Sequence, residues 1–114
     1  MEKTLEAFSG TTGMTSGQFK DIDNELEIGC YPNPFNSNTI IETNLNTGGF
    51  VSVIVYDILG QQVKKLLYSY MTPGRKKLTW NGIDDNHNSV NSGVYIVRLR
   101  SGENTISSKI LLLK

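Results

Sequence analysis

From Glu25 onward, apolar and polar side chains alternate in short runs separated by clusters of Gly, Asn, Pro and Asp. The runs cover Leu26–Tyr31, Thr39–Leu45, Val51–Asp57, Gln62–Tyr70, Lys76–Trp80, Gly93–Arg100 and Thr105–Leu113, which makes seven. A period of two is the period of a strand, whose successive side chains point to opposite faces. The alternation therefore assigns faces as well as elements. Ile41, Thr43 and Leu45 share one face, with Glu42 and Asn44 opposite; Val51, Val53 and Val55 share another. Leu78 and Trp80 do the same, as do Tyr95, Val97 and Leu99, with Arg98 and Arg100 outward. Strands that are apolar on one side only need a second layer to cover them, and two sheets face to face are the economical arrangement. The pattern predicts an all-β sandwich of about seven antiparallel strands. The nearest helical candidate, Gln61 to Leu67, follows a Leu59-Gly60 turn and is expected to be a strand.

The interruptions have causes of their own. In Tyr31-Pro32-Asn33-Pro34-Phe35-Asn36, two prolines fix φ and remove two amide donors, so the chain must leave the sheet there. Asp57-Ile58-Leu59-Gly60 is expected to be a tight turn with Gly60 at positive φ. Thr72-Pro73-Gly74 places proline and glycine where a turn uses them. Residues 1–24, rich in Thr, Ser and Gly with isolated Phe8 and Phe19, show neither periodicity. They are expected to form a flexible linker or the tail of a preceding domain, with room for one loosely docked segment, ahead of a folded domain at 25–114.

Charge and composition narrow the function more than the fold. Eleven basic side chains balance eleven acidic ones, which removes any general attraction to nucleic acid or anionic membrane. The one basic cluster, Arg75 to Lys77 with Lys64 and Lys65 nearby, has no aromatic residue between its charges to stack on a base and is expected to be a solvated sheet face. No apolar run approaches the length of a transmembrane helix, and residues 1–10 lack the apolar region of a signal peptide. Cys30 is the single cysteine, so no intrachain disulfide exists, and it is expected to act as a small strand hydrophobe.

Catalytic patterns are missing. His87 is the single histidine and lies in the polar stretch Asp84-Asp85-Asn86-His87-Asn88, so any triad would depend on one turn residue. Asp84 and Asp85 are adjacent and diverge too much for a paired-carboxylate site. Asp84, Asn86 and Asn88 present oxygens at every second position, as a calcium loop does, but Ser89 stands where such a loop needs Gly and Tyr95 where it needs Glu. An Asx-rich turn bonding its own backbone is the simpler expectation, and no cofactor is expected. Trp80 and Tyr95 fall on inward positions, which leaves Tyr68 and Tyr70 as a candidate sugar-stacking surface.

The order of the motifs carries further information. Y-P-N-P-F-N at 31–36, V-Y-D-I-L-G-Q at 55–61, T-W-N-G-I-D-D-N at 79–86, S-G-V-Y-I-V-R-L at 92–99 and K-I-L-L-L-K at 109–114 follow one another at regular intervals. In this respect residues 31–114 closely resemble the C-terminal sorting domain of type IX secretion substrates, and a related Ig-like domain of the flagellar hook-capping protein. Asn81 and Ile83 stand where the family often has Asp and Arg, and His87 where it often has Gly, all in one surface loop.

The resemblance implies a seven-stranded Ig-like sandwich attached covalently behind a larger cargo in a Gram-negative bacterium. After periplasmic transit the domain would be recognised by the outer-membrane type IX translocon. A sortase-like peptidase would then remove it by cleavage in the linker before Leu26, leaving the cargo secreted or at the cell surface. By motif position the recognition residues would be Gly93, Val94 and Tyr95 with the last strand, Lys109, Ile110, Leu111, Leu112, Leu113 and Lys114.

The run Ile110 to Leu113 is apolar on both faces, which either a partner or a neighbouring sheet would explain, and its edge could also pair with a receptor. Two other roles compete: a structural or assembly module like the flagellar relative, and a carbohydrate-binding accessory domain using Tyr68 and Tyr70. An enzyme is the least supported reading.

Overall fold

The computed structural model describes residues 26–114 throughout and the backbone of 18–21. Among these there are eight strands and no helix: β1 Gln18–Asp21, β2 Leu26–Tyr31, β3 Thr39–Leu45, β4 Gly49–Asp57, β5 Gln62–Met71, β6 Gly74–Trp80, β7 Gly93–Ser101 and β8 Asn104–Leu112. The seven runs read from alternation are β2 to β8, with ends displaced by no more than two residues. β1 lies inside the segment read as a linker and pairs antiparallel with β2 from Gln18↔Gly29 to Asp21↔Leu26. The rest of that linker, and the expected cleavage point in it, lie outside the described residues.

Two four-stranded antiparallel sheets form an Ig-like sandwich, in the orders β1-β2-β3-β6 and β5-β4-β7-β8. The inward positions make one core. Ile28 and Cys30 from β2, Ile41 from β3, and Trp80 from β6 meet Val51, Val53 and Val55 from β4, Val97 and Leu99 from β7, and Ile110 and Leu112 from β8. Each of the large aliphatic side chains contributes about 1.5–3 kcal/mol when taken from water. β4 and β7 pair from Val51↔Ser101 to Asp57↔Tyr95 and form the middle of the second sheet, so their inward valines and leucine are completely buried.

Buried polar groups have partners, as a dry interior requires. Thr39 donates from Oγ1 to the Pro32 carbonyl at 2.9 Å, and Trp80 donates from Nε1 to the Ile83 carbonyl at 3.0 Å. Burial pushes the Cys30 thiol up to about 11, against a hydrogen bond from Ser108 that opposes the rise, so it stays protonated and unreactive. The Asp57–Gly60 turn closes through the Gly60 amide on the Asp57 carbonyl at 3.0 Å, with Gly60 at φ +83°. β5 departs from strict alternation because two register shifts interrupt its pairing with β4, one between Val53 and Ile54 and one between Val55 and Tyr56.

Candidate functional site

The residues nominated for recognition lie on the β7–β8 hairpin, where the register joins Gly93 to Leu112, Val94 to Leu111 and Tyr95 to Ile110. Alternation divides them. Tyr95, Ile110 and Leu112 point into the core and are buried, Tyr95 packing edge-on to Trp80 and donating its hydroxyl to the Asn91 carbonyl at 2.6 Å. Desolvation, and then repulsion from Asp57, raise the Tyr95 pKa. Val94, Lys109, Leu111, Leu113 and Lys114 lie on the other side, with Leu113 half exposed and both lysines exposed. Burial under the facing sheet thus accounts for two of the four apolar residues at 110–113 and leaves Leu111 and Leu113 outside.

The edge of this strand is not open. The Phe35 amide donates to the Leu111 carbonyl at 3.0 Å, and the Leu113 amide to the Phe35 carbonyl at 2.8 Å. The Asn33 side chain does the rest: Nδ2 donates to the Lys109 carbonyl at 2.9 Å and Oδ1 accepts from the Leu111 amide at 3.0 Å. The segment before β3, with both Tyr31-Pro32 and Asn33-Pro34 in the cis form, therefore returns to occupy the edge of β8. This corrects the expectation that a receptor could pair edge-on at Ile110 to Leu113, because the Leu111 amide and carbonyl and the Leu113 amide are already bonded within the chain.

Asn33→Ala removes both side-chain bonds and leaves the Leu111 amide without its acceptor. The expected cost is about 1–3 kcal/mol of unfolding free energy, read as a lower denaturant midpoint, with amide exchange at Leu111 and Leu113 accelerating before that at Val97.

Sequence reasoning passed over Ile58 and Leu59. They occupy the tip of the β4–β5 turn, 74% and 79% exposed, because Asp57 Oδ1 takes the Leu59 and Gln61 amides and fixes the turn without help from its apolar members. The pairing Asp57↔Tyr95 puts this tip at the same end of the sheet as Val94, Leu111 and Leu113. Two large apolar residues at a turn centre, where polar or flexible ones are usual, were the available signal.

The Asp84–Asn88 loop is closed by Asp84. Asp84 Oδ1 accepts the Asn86 and Asn88 amides, each at 2.9 Å, and the Asp84 amide donates to the Asn88 carbonyl. Asp85 ties the loop to β5 by accepting from the Gln62 side chain and the Lys65 amide, and these bonds hold its carboxyl below the usual range. The weak calcium candidates Asp84, Asn86 and Asn88 thus lie in an Asx turn built on one carboxylate oxygen of Asp84. His87 sits in that turn at φ +69°, the left-handed region that disfavours a Cβ. His87→Gly should raise stability by up to about 1 kcal/mol, read as a higher melting temperature, since relief of that strain exceeds glycine's extra unfolded-state entropy.

Lys114 closes this end of the domain, its amide donating to Ser92 Oγ at 2.9 Å and its Nζ bonding Ser89 Oγ. No helix among the described residues is long and apolar enough to cross a membrane.

Comparison with known proteins places this geometry in context. The sequence profile of a family described as secretion system C-terminal sorting domain matches residues 29–113. Among solved structures, dimeric latent PorU from Porphyromonas gingivalis superposes with a TM-score of 0.62 at 16% identity, covering 91% of this chain and 10% of PorU. PorZ, an essential bacterial surface component of the type IX secretion system of the same organism, superposes with a TM-score of 0.51 at 22% identity, covering 76% of this chain and 11% of PorZ. These likenesses show a shared fold, and this chain spans about a tenth of each of those proteins. No curated protein matches the chain.

Proposed function

Because the chain belongs to the family of secretion system C-terminal sorting domains, we propose that it is a non-catalytic address that carries a covalently attached cargo through the type IX translocon to the cell surface. The observation that carries this reading is the match over residues 29–113, which includes the β7–β8 hairpin and its Asn33 clamp. The physics favours recognition of the folded domain. Tyr95, Ile110 and Leu112 hold the core, while Val94, Lys109, Leu111, Leu113 and Lys114 are presented outward on a hairpin whose outer edge is bonded at Leu111. Ile58 and Leu59 are exposed at the same end of the sheet, and exposed apolar side chains gathered at one end are of the kind a protein partner covers. A sortase-like peptidase acting before Leu26 would then separate cargo from address.

A reporter fused ahead of residues 25–114, directed to the periplasm of a host with a type IX system, should reach the cell surface or medium. The same reporter without the domain should stay in the periplasm. Periplasmic retention of a fusion whose domain is folded would overturn the proposal.

A further inference from the structure

We propose that the outer face of the β5-β4-β7-β8 sheet carries a groove for an acidic saccharide, in which Phe50 and Tyr68 hold sugar faces while Arg98, seated over Tyr56, and Arg100 hold carboxylate or sulfate groups. This goes beyond the sorting role and does not depend on it. The groove encloses about 460 Å³, within the range of small-ligand sites, and no acidic side chain lines it. Register builds it from neighbouring outward positions: Ser52 lies between Tyr68 and Arg100, and Ile54 pairs with Arg98.

The rings are organised and exposed. Phe50 meets Tyr68 edge-to-face at 4.7 Å, yet Tyr68 remains 58% exposed and Phe50 37%. The Arg98 guanidinium lies 4.8 Å over the Tyr56 ring, and neither Arg98 nor Arg100 forms an ion pair with a described residue. Stacking fixes the guanidinium plane while its N–H edge remains available for a planar anion. Lys65 adds a third cation, its Nζ 4.4 Å over the Tyr68 ring.

The occupant follows from what the groove lacks. It lies over a sheet face, and β4 beneath it is paired with β5 on one side and β7 on the other. A peptide would find no main-chain partners there, whereas it would at an edge. Recognition is left to ring faces, hydroxyls and guanidinium forks. A saccharide offers apolar C–H faces to the rings and polar groups to the rest, and two unneutralised arginines select one bearing anions.

The test titrates the full chain with oligogalacturonate, a heparin-derived oligosaccharide, a neutral maltooligosaccharide and polyglutamate, following amide and side-chain resonances. At least one acidic saccharide should bind tenfold or more tighter than the neutral one, shifting Tyr56, Tyr68 and Arg98. Which of the two binds distinguishes carboxylate from sulfate as the anion. Arg98→Ala with Arg100→Ala should weaken that binding at least tenfold, and Tyr68→Ala severalfold. Lys76→Ala with Lys77→Ala, an equal loss of charge on the opposite sheet, should leave it unchanged.

The proposal is overturned if neither acidic saccharide binds, if the Lys76 and Lys77 variant loses as much affinity, or if polyglutamate binds as tightly as the saccharides. Resonance mapping on the unaltered chain decides the location even if a variant fails to fold.

Discussion

Trp80→Ala should leave the domain largely unfolded at room temperature, the largest effect of any single substitution in the core. Trp80 is fully buried, packed between a tilted Phe35 ring at 5.7 Å and an edge-on Tyr95 ring at 5.2 Å, and its Nε1 donates to the Ile83 carbonyl. Truncating a buried tryptophan costs about 3–5 kcal/mol. A domain of this size has a total stability near the low end of about 5–15 kcal/mol. The effect also spreads, because the cavity opens between the segment that clamps β8 and the hairpin that contains it. The melting temperature should fall by roughly 20 °C or more, or the transition should disappear. Far-UV circular dichroism and amide dispersion are the readouts, since the substitution removes the fluorophore. Trp80→Phe, which keeps ring contacts but loses the hydrogen bond, should retain a cooperative transition at lower temperature.

Deleting residues 109–114 should also unfold the domain. The deletion removes Ile110 and Leu112, which are 0% and 1% exposed, and strips Asn33 and Phe35 of their partners. Losing two such side chains costs about 2–5 kcal/mol each, which together exceeds what the domain can spare. The truncated chain should show no cooperative unfolding and should bind a hydrophobic dye. Loss of export after this deletion would therefore report on folding as much as on recognition. Outward residues offer a cleaner probe, because an exposed substitution such as Leu113→Asp should change stability by less than about 0.5 kcal/mol.

The strands were legible because most of them set a buried apolar face against a more polar one. Val51, Val53 and Val55 against Ser52 and Ile54, or Tyr95, Val97 and Leu99 against Arg98 and Arg100, record in sequence which side meets the opposing sheet. The Asp57–Gly60 turn was legible for a similar reason, since a local backbone need selects the residue.

What escaped was non-local or unalternating. The double-faced apolar run at 110–113 could not be divided by period, and only the structure separates Ile110 and Leu112 from Leu111 and Leu113. The bonds of Asn33 to Lys109 and Leu111 join residues 76 and 78 positions apart, and nothing local in Y-P-N-P-F-N announces them. β1 is four residues long and rests on β2, too short for a periodic signal. Of the two tyrosines nominated for stacking, only Tyr68 lines the groove and Tyr70 stands outside it; Arg98 and Arg100 come from β7 and meet Tyr68 only through β4.

The most direct test is the export of a reporter fused to residues 25–114 carrying Leu111→Asp and Leu113→Asp, beside the unaltered fusion, with the melting temperature of each domain measured. Native-like melting together with at least a tenfold fall in extracellular reporter is the result that a sorting signal read from the outer face of β7–β8 predicts. A stable domain bearing both charges and exported as well as the original would contradict it.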